Sequence, residues 1–249
     1  MPDALATAVD WPTLAADLEA TLASALALAP IPLAPGHARA MGTWKGAPTT
    51  IETRAWRGER IAYCRVARVR GHGVAIGNVL CIPDPALRAG GRPLPILGVD
   101  LVAIGERDAI VVADLSPMTE DRALGSERIA AALDADPDVA RLTPIDDLPP
   151  WARDSFSTRA LAVRVGAELH PVAAAAVRRV VDAFVTLVHE ARVDANADDT
   201  GAVRRAHQRH LGRHRDEDGG LALLGRMFGS EWARGYVCTV LFPDLPEHS

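Results

Sequence analysis

The chain has 249 residues, of which 49% are hydrophobic and 24% are charged, and its formal net charge is −5. This composition is typical of a globular protein, and the acidic balance argues against a general nucleic-acid binder, which would be basic. No apolar stretch approaches the roughly 18 residues that a membrane-spanning helix needs. The cysteines Cys64, Cys81 and Cys238 show neither disulfide-framework nor metal-ligand spacing, so we expect a cytoplasmic protein.

The N-terminal part of the sequence predicts one helix followed by a run of strands. Residues 11–29 carry apolar residues at helical spacing, and Pro12 suits the first turn. The proline-rich segment 29–36 ends this helix. Because the connections between the strands are too short for helical crossovers, we expect a mostly antiparallel sheet. Four or five successive strands are predicted within residues 49–58, 59–71, 73–83, 94–105 and 109–117.

The C-terminal part predicts mainly helices. One or two short helices at 126–142, a strand at 159–166, a long helix at 168–195, a basic helix through 203–215 and a last helix at 221–242 are predicted. The order of helix, strands and helices predicts an α+β fold with an antiparallel sheet and helices on its faces. Because the chain shows no repeat, low-complexity tract or linker, we interpret residues 1–249 as a single domain.

Common cofactor and hydrolase motifs are missing from the sequence. We find no GxGxxG after a strand, no GxxxxGK[ST], no HExxH and no GxSxG. His207, His210 and His214 approach metal-ligand spacing, but they stand among arginines without a carboxylate on the same face, so we expect no metal site there. The chemistry must therefore rest on dispersed residues or on a substrate that is itself redox-active.

Four polar residues stand in unusual places in the predicted elements. Asp100 lies in a strand with apolar neighbours on both sides, so it either faces a pocket and holds a proton near neutral pH or faces solvent. Asn78 lies within another strand and either satisfies backbone groups or contacts a ligand. Asp114 adjoins a predicted turn and is interpreted as its cap. Asp218, just before the last helix, is by itself a helix cap or loop acid.

Four segments resemble the ferredoxin-dependent bilin reductase family and occur in the family's order. Any one of them is a weak signal, whereas the order and spacing of all four within residues 74–243 are specific. The segments are GNVLCIPDP with LPILGVDLVAIG, VADLSPMTEDR, LPPWARDSFSTRALAVR, and ALLGRMFGSEWARGYVCTVLFP. The resemblance implies a three-layer α/β/α sandwich without bound flavin, nicotinamide or metal. It also implies that reduced ferredoxin supplies single electrons to biliverdin IXα while the protein supplies protons.

The resemblance gives individual residues expected roles. Asp100 matches the central-strand acid implicated in protonating the bilin, and Asp218 matches a second proton-donor position. Asn78 replaces a histidine of the phycocyanobilin-forming members, as in the phycoerythrobilin- and phytochromobilin-forming branches, and Val66 takes the place of their vinyl-reducing glutamate. A two-electron reduction at the 15,16 bridge, or a four-electron route through Asp100 and Asp218, is therefore favoured. This chain has DEDGG where many relatives have DPxxG, and some relatives place a basic residue there near a substrate propionate. Because this chain lacks that residue, we assign propionate binding to Arg164 instead.

The basic run at 203–215 has no acidic residue and is either a solvated helix face or a surface for an acidic partner. The resemblance favours docking of acidic ferredoxin, since charge attraction speeds a brief encounter. The candidate docking residues are Arg204, Arg205, Arg209 and Arg213. We expect a monomer. The alternatives are a reductase of another linear tetrapyrrole, such as a chlorophyll catabolite, and a bilin carrier without catalysis, although a carrier would need no proton donors.

Overall fold

The computed structural model describes residues 9–105, 108–194, 196–217 and 219–245. The strands in these ranges are β1 (Ala29–Ile31), β2 (Arg39–Trp44), β3 (Ala47–Gly58), β4 (Ile61–Gly71), β5 (Val74–Pro83), β6 (Leu87–Ala89), β7 (Arg92–Pro93), β8 (Ile96–Ile104), β9 (Asp108–Ser116), β10 (Thr143–Pro144), β11 (Leu161–Gly166) and β12 (Arg192–Val193). The helices are α1 (Trp11–Ala25), α2 (Pro35–Ala38), α3 (Ala123–Leu133), α4 (Pro150–Ser155), α5 (His170–Glu190), α6 (Ala197–Glu217), α7 (Gly220–Phe228) and α8 (Ser230–Tyr236). Short 3₁₀ turns at Val139–Arg141 and Ala167–Leu169 and a π-helical turn at Val237–Leu241 complete the elements.

A large antiparallel sheet forms the centre of the fold. Within the described residues it has nine strands in the order β1-β3-β4-β5-β8-β9-β11-β10, with β2 also paired to β3. A separate small sheet in the same ranges has the order β12-β6-β7. The five strands predicted between residues 49 and 117 correspond to β3, β4, β5, β8 and β9, and neighbours along the chain pair as hairpins or through short connections.

Helices cover both faces of the sheet and create two separate hydrophobic cores. One core joins the sheet to α1, α3 and α5, and the other joins it to α6, α7, α8 and the π-helical turn. Side chains alternate between the faces along each strand. On β4, for example, Cys64 and Val66 enter the first core, whereas Tyr63 and Val69 enter the second. The predicted α+β fold, with helices on both faces of an antiparallel sheet, is confirmed.

Two local predictions differ from the structure. The single helix predicted over 221–242 is wrong, because Gly229 adopts a left-handed φ of 93° that ends α7 and starts α8 in a new direction. The proline-rich segment 29–36 was predicted as a helix stop, but it also contributes β1 and the start of α2. Pro30 lies in an edge strand and Pro35 in a first helical turn, where a missing N–H is tolerated.

None of the helices within the described ranges has the length and apolar character needed to cross a membrane. The cysteines are free thiols, with Cys64 and Cys81 buried and Cys238 exposed. The single-domain organisation, the monomeric state and the cytoplasmic location stay predictions.

Candidate active site

A cavity of about 370 Å³ lies between the sheet and the C-terminal helices. Its floor comes from the middle strands β4, β5, β8 and β9, and its walls come from α4, α6, α7 and the π-helical turn. Most of the lining is aliphatic or aromatic, and Trp151 of α4 contacts the His214 ring of α6 with centroids 4.9 Å apart. The volume is in the range of small-molecule sites, which are mostly apolar with a few placed polar groups.

Asp100 and Asn78 are two of those polar groups. They are directly opposite each other on the paired strands β8 and β5, so their side chains share the cavity face of the sheet. The side-chain nitrogen Nδ2 of Asn78 donates a hydrogen bond to Oδ1 of Asp100, and both residues are half-buried. Asp100 thus faces a pocket and not bulk solvent, and the Asn78 side chain lines the same pocket, whereas their roles towards a ligand stay predictions.

Arg65 is a third polar residue of the cavity, and the sequence analysis did not identify it. The side chain is 1% exposed, and its Nη1 donates to Oδ1 of Asn78 while its Nε donates to the Leu241 carbonyl over 3.2 Å. The guanidinium carbon lies 5.7 Å from the centre of the Phe242 ring. Burial lowers the pKa of Arg65, whereas the nearby Tyr236, Tyr63 and Asp100 raise it.

A chain of hydrogen bonds therefore runs from Arg65 through Asn78 to Asp100. The Asn78 amide oxygen faces the cation and its nitrogen faces the carboxylate, so each end of the amide meets a group of complementary character. Arginine has no acceptor and cannot lose its proton in a protein, which fixes the amide in this orientation. The arrangement holds Asp100 in a defined position at the floor of a mostly apolar cavity.

Two buried tyrosines pack beside Arg65. The Tyr236 hydroxyl hydrogen-bonds to Oγ1 of Thr53 over 2.5 Å, and Tyr63 donates to the Val240 carbonyl over 2.8 Å. Burial raises the pKa of Tyr236 to about 12, although Arg65 and the hydrogen bond to Thr53 oppose this. Burial likewise raises the pKa of Tyr63. Both phenols are therefore neutral at physiological pH.

Asp114 is more deeply buried than its predicted role as a turn cap requires. Its carboxylate is 1% exposed and accepts hydrogen bonds from the Ser116 hydroxyl over 2.7 Å and the Ser157 hydroxyl over 2.6 Å. The Ser157 backbone N–H also donates to it over 3.1 Å. Burial raises the pKa of Asp114, while these hydrogen bonds lower it. The residue thus ties the end of β9 to the segment that follows α4.

The position assigned to the vinyl-reducing glutamate needs a correction. Val66 packs into the core on the opposite face of the sheet. Ala67, the next residue on β4, pairs with Asn78 and lines the cavity. The one-residue shift reverses the direction of the side chain, because successive residues of a strand face opposite sides. Neither residue carries a carboxyl group, so the absence of a glutamate at this point is unchanged.

The described residues include Arg164 but not Asp218. Arg164 is exposed on β11 and pairs with Ile110, which lines the cavity, so its side chain leaves the sheet on the cavity face. Asp218 lies outside the described residues. Its described neighbour Gly220 begins α7 and lines the cavity. The roles of both residues stay predictions.

The basic run forms most of α6, a helix with two different faces. Arg205, Arg209 and Arg213 are exposed, and Arg204 is half-buried. The side chain of His207 is fully buried. Among the described residues, no group of three or more histidines, cysteines or acids could hold a metal ion.

Comparisons with known proteins bear on the family of the chain. The profile of the family described as "Ferredoxin-dependent bilin reductase" matches residues 15–243. A phycocyanobilin:ferredoxin oxidoreductase from Gloeobacter violaceus is 32% identical over 62% of this chain, a match that spans 59% of that protein. The protein of the same name from Synechococcus elongatus is 28% identical over 94% of this chain and 92% of its own length.

A solved structure shows the same fold. The phytochromobilin synthase from tomato, determined in complex with biliverdin, superposes with a TM-score of 0.81 at 19% identity. The superposition covers 92% of this chain and 82% of the tomato protein. The profile match over most of the sequence and the shared fold lead to one conclusion: the chain belongs to the ferredoxin-dependent bilin reductase family.

Proposed function

We propose that this protein reduces biliverdin IXα with electrons from reduced ferredoxin, giving a phycobilin or a dihydrobiliverdin. The observation that carries the proposal is the position of Asp100, which the hydrogen-bond chain from Arg65 and Asn78 holds in an apolar cavity. A family whose members act on bilins needs such a group, because electrons that arrive singly must be matched by protons. The bilin accepts the electrons itself, so no bound cofactor is required.

Each group of cavity residues has its own proposed role in the reaction. The apolar walls exclude water and enclose the tetrapyrrole, while Asp100 exchanges a proton with the pyrrole nitrogens or the lactam oxygen. Two electrons from ferredoxin and two protons then give the dihydro product. Asn78 orients the ring, Asp218 is the second proton donor, and Arg164 at the cavity side of the sheet binds a propionate.

The residues around Asn78 bear on the route of the reduction. An amide at this position and an alanine at Ala67 offer no titratable group. A two-electron reduction at the 15,16 bridge, or a four-electron route that uses Asp100 and Asp218, therefore fits the cavity better than a route through a histidine and a glutamate.

The test is an anaerobic assay with biliverdin IXα and reduced ferredoxin, with products separated by chromatography. The variant Asp100→Asn should bind the pigment with a visible absorbance shift but stall before product, because an amide cannot deliver the proton. Asp17→Asn is the matched control, since Asp17 lies on α1 at the opposite face of the sheet and pairs with Arg178 at the surface. Normal turnover by Asp100→Asn would remove Asp100 from the mechanism.

The same assay separates the alternatives. Tight biliverdin binding without reduction by the unaltered protein would identify a bilin carrier. Reduction of a chlorophyll-derived linear tetrapyrrole in preference to biliverdin would identify a different reductase.

We further propose that acidic ferredoxin docks on the exposed arginines of α6. The double variant Arg205→Glu with Arg209→Glu should raise the KM for ferredoxin and weaken the salt dependence of the rate, because charge attraction governs the encounter. Arg178→Glu, on α5 of the opposite layer, is the matched control. Equal effects of both changes on the KM would contradict docking at α6.

A further inference from the structure

Bilin reduction needs a supply of protons as well as a proton donor. A two-electron reduction takes up two protons and a four-electron route takes up four, whereas Asp100 and Asp218 each deliver one proton at a time. Asp100 must therefore be reprotonated for turnover to continue, and in a four-electron route this happens while substrate fills the cavity and excludes water. Because most of the cavity lining is apolar, the protons must arrive through a small set of polar groups adjoining Asp100.

A second, smaller chamber adjoins the cavity at this point. It has a volume of about 50 Å³ and shares Asp100 and Asn78 with the cavity. Asp114, Ser116 and His210 also line it. A space of this size accommodates about one or two water molecules, and a buried water needs two to four polar partners. The chamber thus has both the room and the polar groups for a proton-conducting water.

Two histidines of α6 connect the chamber with its surroundings. His210 lines both the chamber and an open groove of about 690 Å³ between α6, the segment 117–122 and the end of α4. His214, one helical turn later, lines both the chamber and the substrate cavity. The centres of the two rings are 4.5 Å apart. The two neighbouring histidine rings therefore border, between them, the groove, the chamber and the substrate cavity.

The environment of His210 suits it to relay protons. Burial lowers its pKa well below that of an ordinary histidine, and the neighbouring His214, His207 and Arg213 act in the same direction. The ring is therefore neutral near pH 7, with one nitrogen that accepts a hydrogen bond and one that donates. Such a ring can take up a proton on one side and release another on the other side without holding a lasting charge.

We propose that His210 and His214 carry protons from the surface groove, through the chamber beside Asp100, to the substrate cavity. A proton from groove water binds one nitrogen of His210, the proton on the other nitrogen passes into the chamber, and Asp100 or His214 receives it. The electrons come from ferredoxin, so the step needs no other reductant. The inference rests on the proposed bilin reduction and assigns that reaction its proton route.

The variant His210→Gln tests the relay, because glutamine retains a donor and an acceptor but does not bind a proton at neutral pH. His207→Gln is the matched control, since His207 lies on the same helix with a fully buried ring and does not line the chamber. Biliverdin-loaded protein is reduced anaerobically with ferredoxin, and the one-electron-reduced pigment is followed by absorbance. We expect His210→Gln to form this species at the normal rate and to consume it roughly 10²-fold more slowly.

Two further readouts distinguish a proton relay from a packing effect. The solvent deuterium isotope effect on pigment consumption should increase in His210→Gln, and added imidazole should restore part of the rate. His214→Gln provides a second variant that should show the same slow step.

Consumption of the reduced pigment at the unaltered rate in both His210→Gln and His214→Gln would overturn the relay. An equal loss in the control His207→Gln would also overturn it, because that loss would come from helix packing. Failure of the unaltered protein to reduce biliverdin would refute the proposed function instead, so the two failures are distinguishable.

Discussion

Replacement of Arg65 by lysine tests the hydrogen-bond chain at the cavity floor without removing its charge. Arg65 uses separate nitrogens to reach the Leu241 carbonyl and the Asn78 side chain. A lysine ammonium is a single compact donor group and cannot span both acceptors, so one buried acceptor loses its charged donor. A hydrogen bond to a charged group contributes about 1.5–3 kcal/mol, and the more strongly hydrated ammonium adds to the cost of burial. We expect Arg65→Lys to lower the free energy of unfolding by about 2–4 kcal/mol.

Urea denaturation followed by circular dichroism measures this change. Arg178→Lys is the control, because Arg178 makes an exposed ion pair with Asp17 and its replacement should change the free energy by less than about 1 kcal/mol. The Asn78 amide should also lose its fixed orientation, so turnover should fall while the pigment still binds. A change in the free energy of unfolding as small as that of the control, with normal turnover, would refute the role of Arg65 in holding both Asn78 and the Leu241 carbonyl.

Two further predictions concern buried groups away from the cavity. Burial holds the pKa of His207 at about 3, compared with 6.5 when exposed, so the unfolded chain binds a proton that the folded chain rejects. His207 therefore leaves the free energy of unfolding unchanged above pH 6.5 and lowers it as the pH falls towards 3, by at most about 5 kcal/mol. Acid titration of His207→Leu should lack this part of the slope, and an identical pH profile would contradict it. In α3, Gly125→Ala would place a methyl group 2.2 Å from the Leu115 carbonyl oxygen, so thermal denaturation should show a loss of about 1–3 kcal/mol despite the better helix propensity of alanine. An unchanged Tm would mean that the helix moves away from β9 freely.

Strand alternation was sufficient to define the two faces of Asp100's strand, but not to show which face carries a cavity. The sequence has apolar residues on both sides of Asp100. The cavity is on a single face of the sheet because of how the helices pack, and those helices come from distant parts of the chain. Arg65 was missed for a related reason. β4 also contains Arg68 and Arg70, which face the other way towards acids of the α1 region. Without the register, the three arginines are indistinguishable.

The C-terminal helices show a second limit of the sequence patterns. A single glycine is tolerated in a helix, so Gly229 gave no signal of a break until its left-handed φ was seen. Likewise, the arginines of α6 are typical of a polar helix and gave no sign that His210 and His214 border the chamber beside Asp100. Their orientation depends on how α6 packs on the sheet, which is tertiary information.

The attachment of the π-helical turn to the sheet has a consequence for how substrate exchanges. The carbonyls of Val240 and Leu241 take their donors from Tyr63 and Arg65 in the middle of the sheet. Separation of the π-helical turn from the sheet would break both hydrogen bonds and leave two donors and two acceptors unpaired beside apolar side chains. The free-energy cost is comparable to a large part of a domain's stability. The π-helical turn and the floor of the cavity therefore open and close as one cooperative unit, and a bound pigment stabilises the two together.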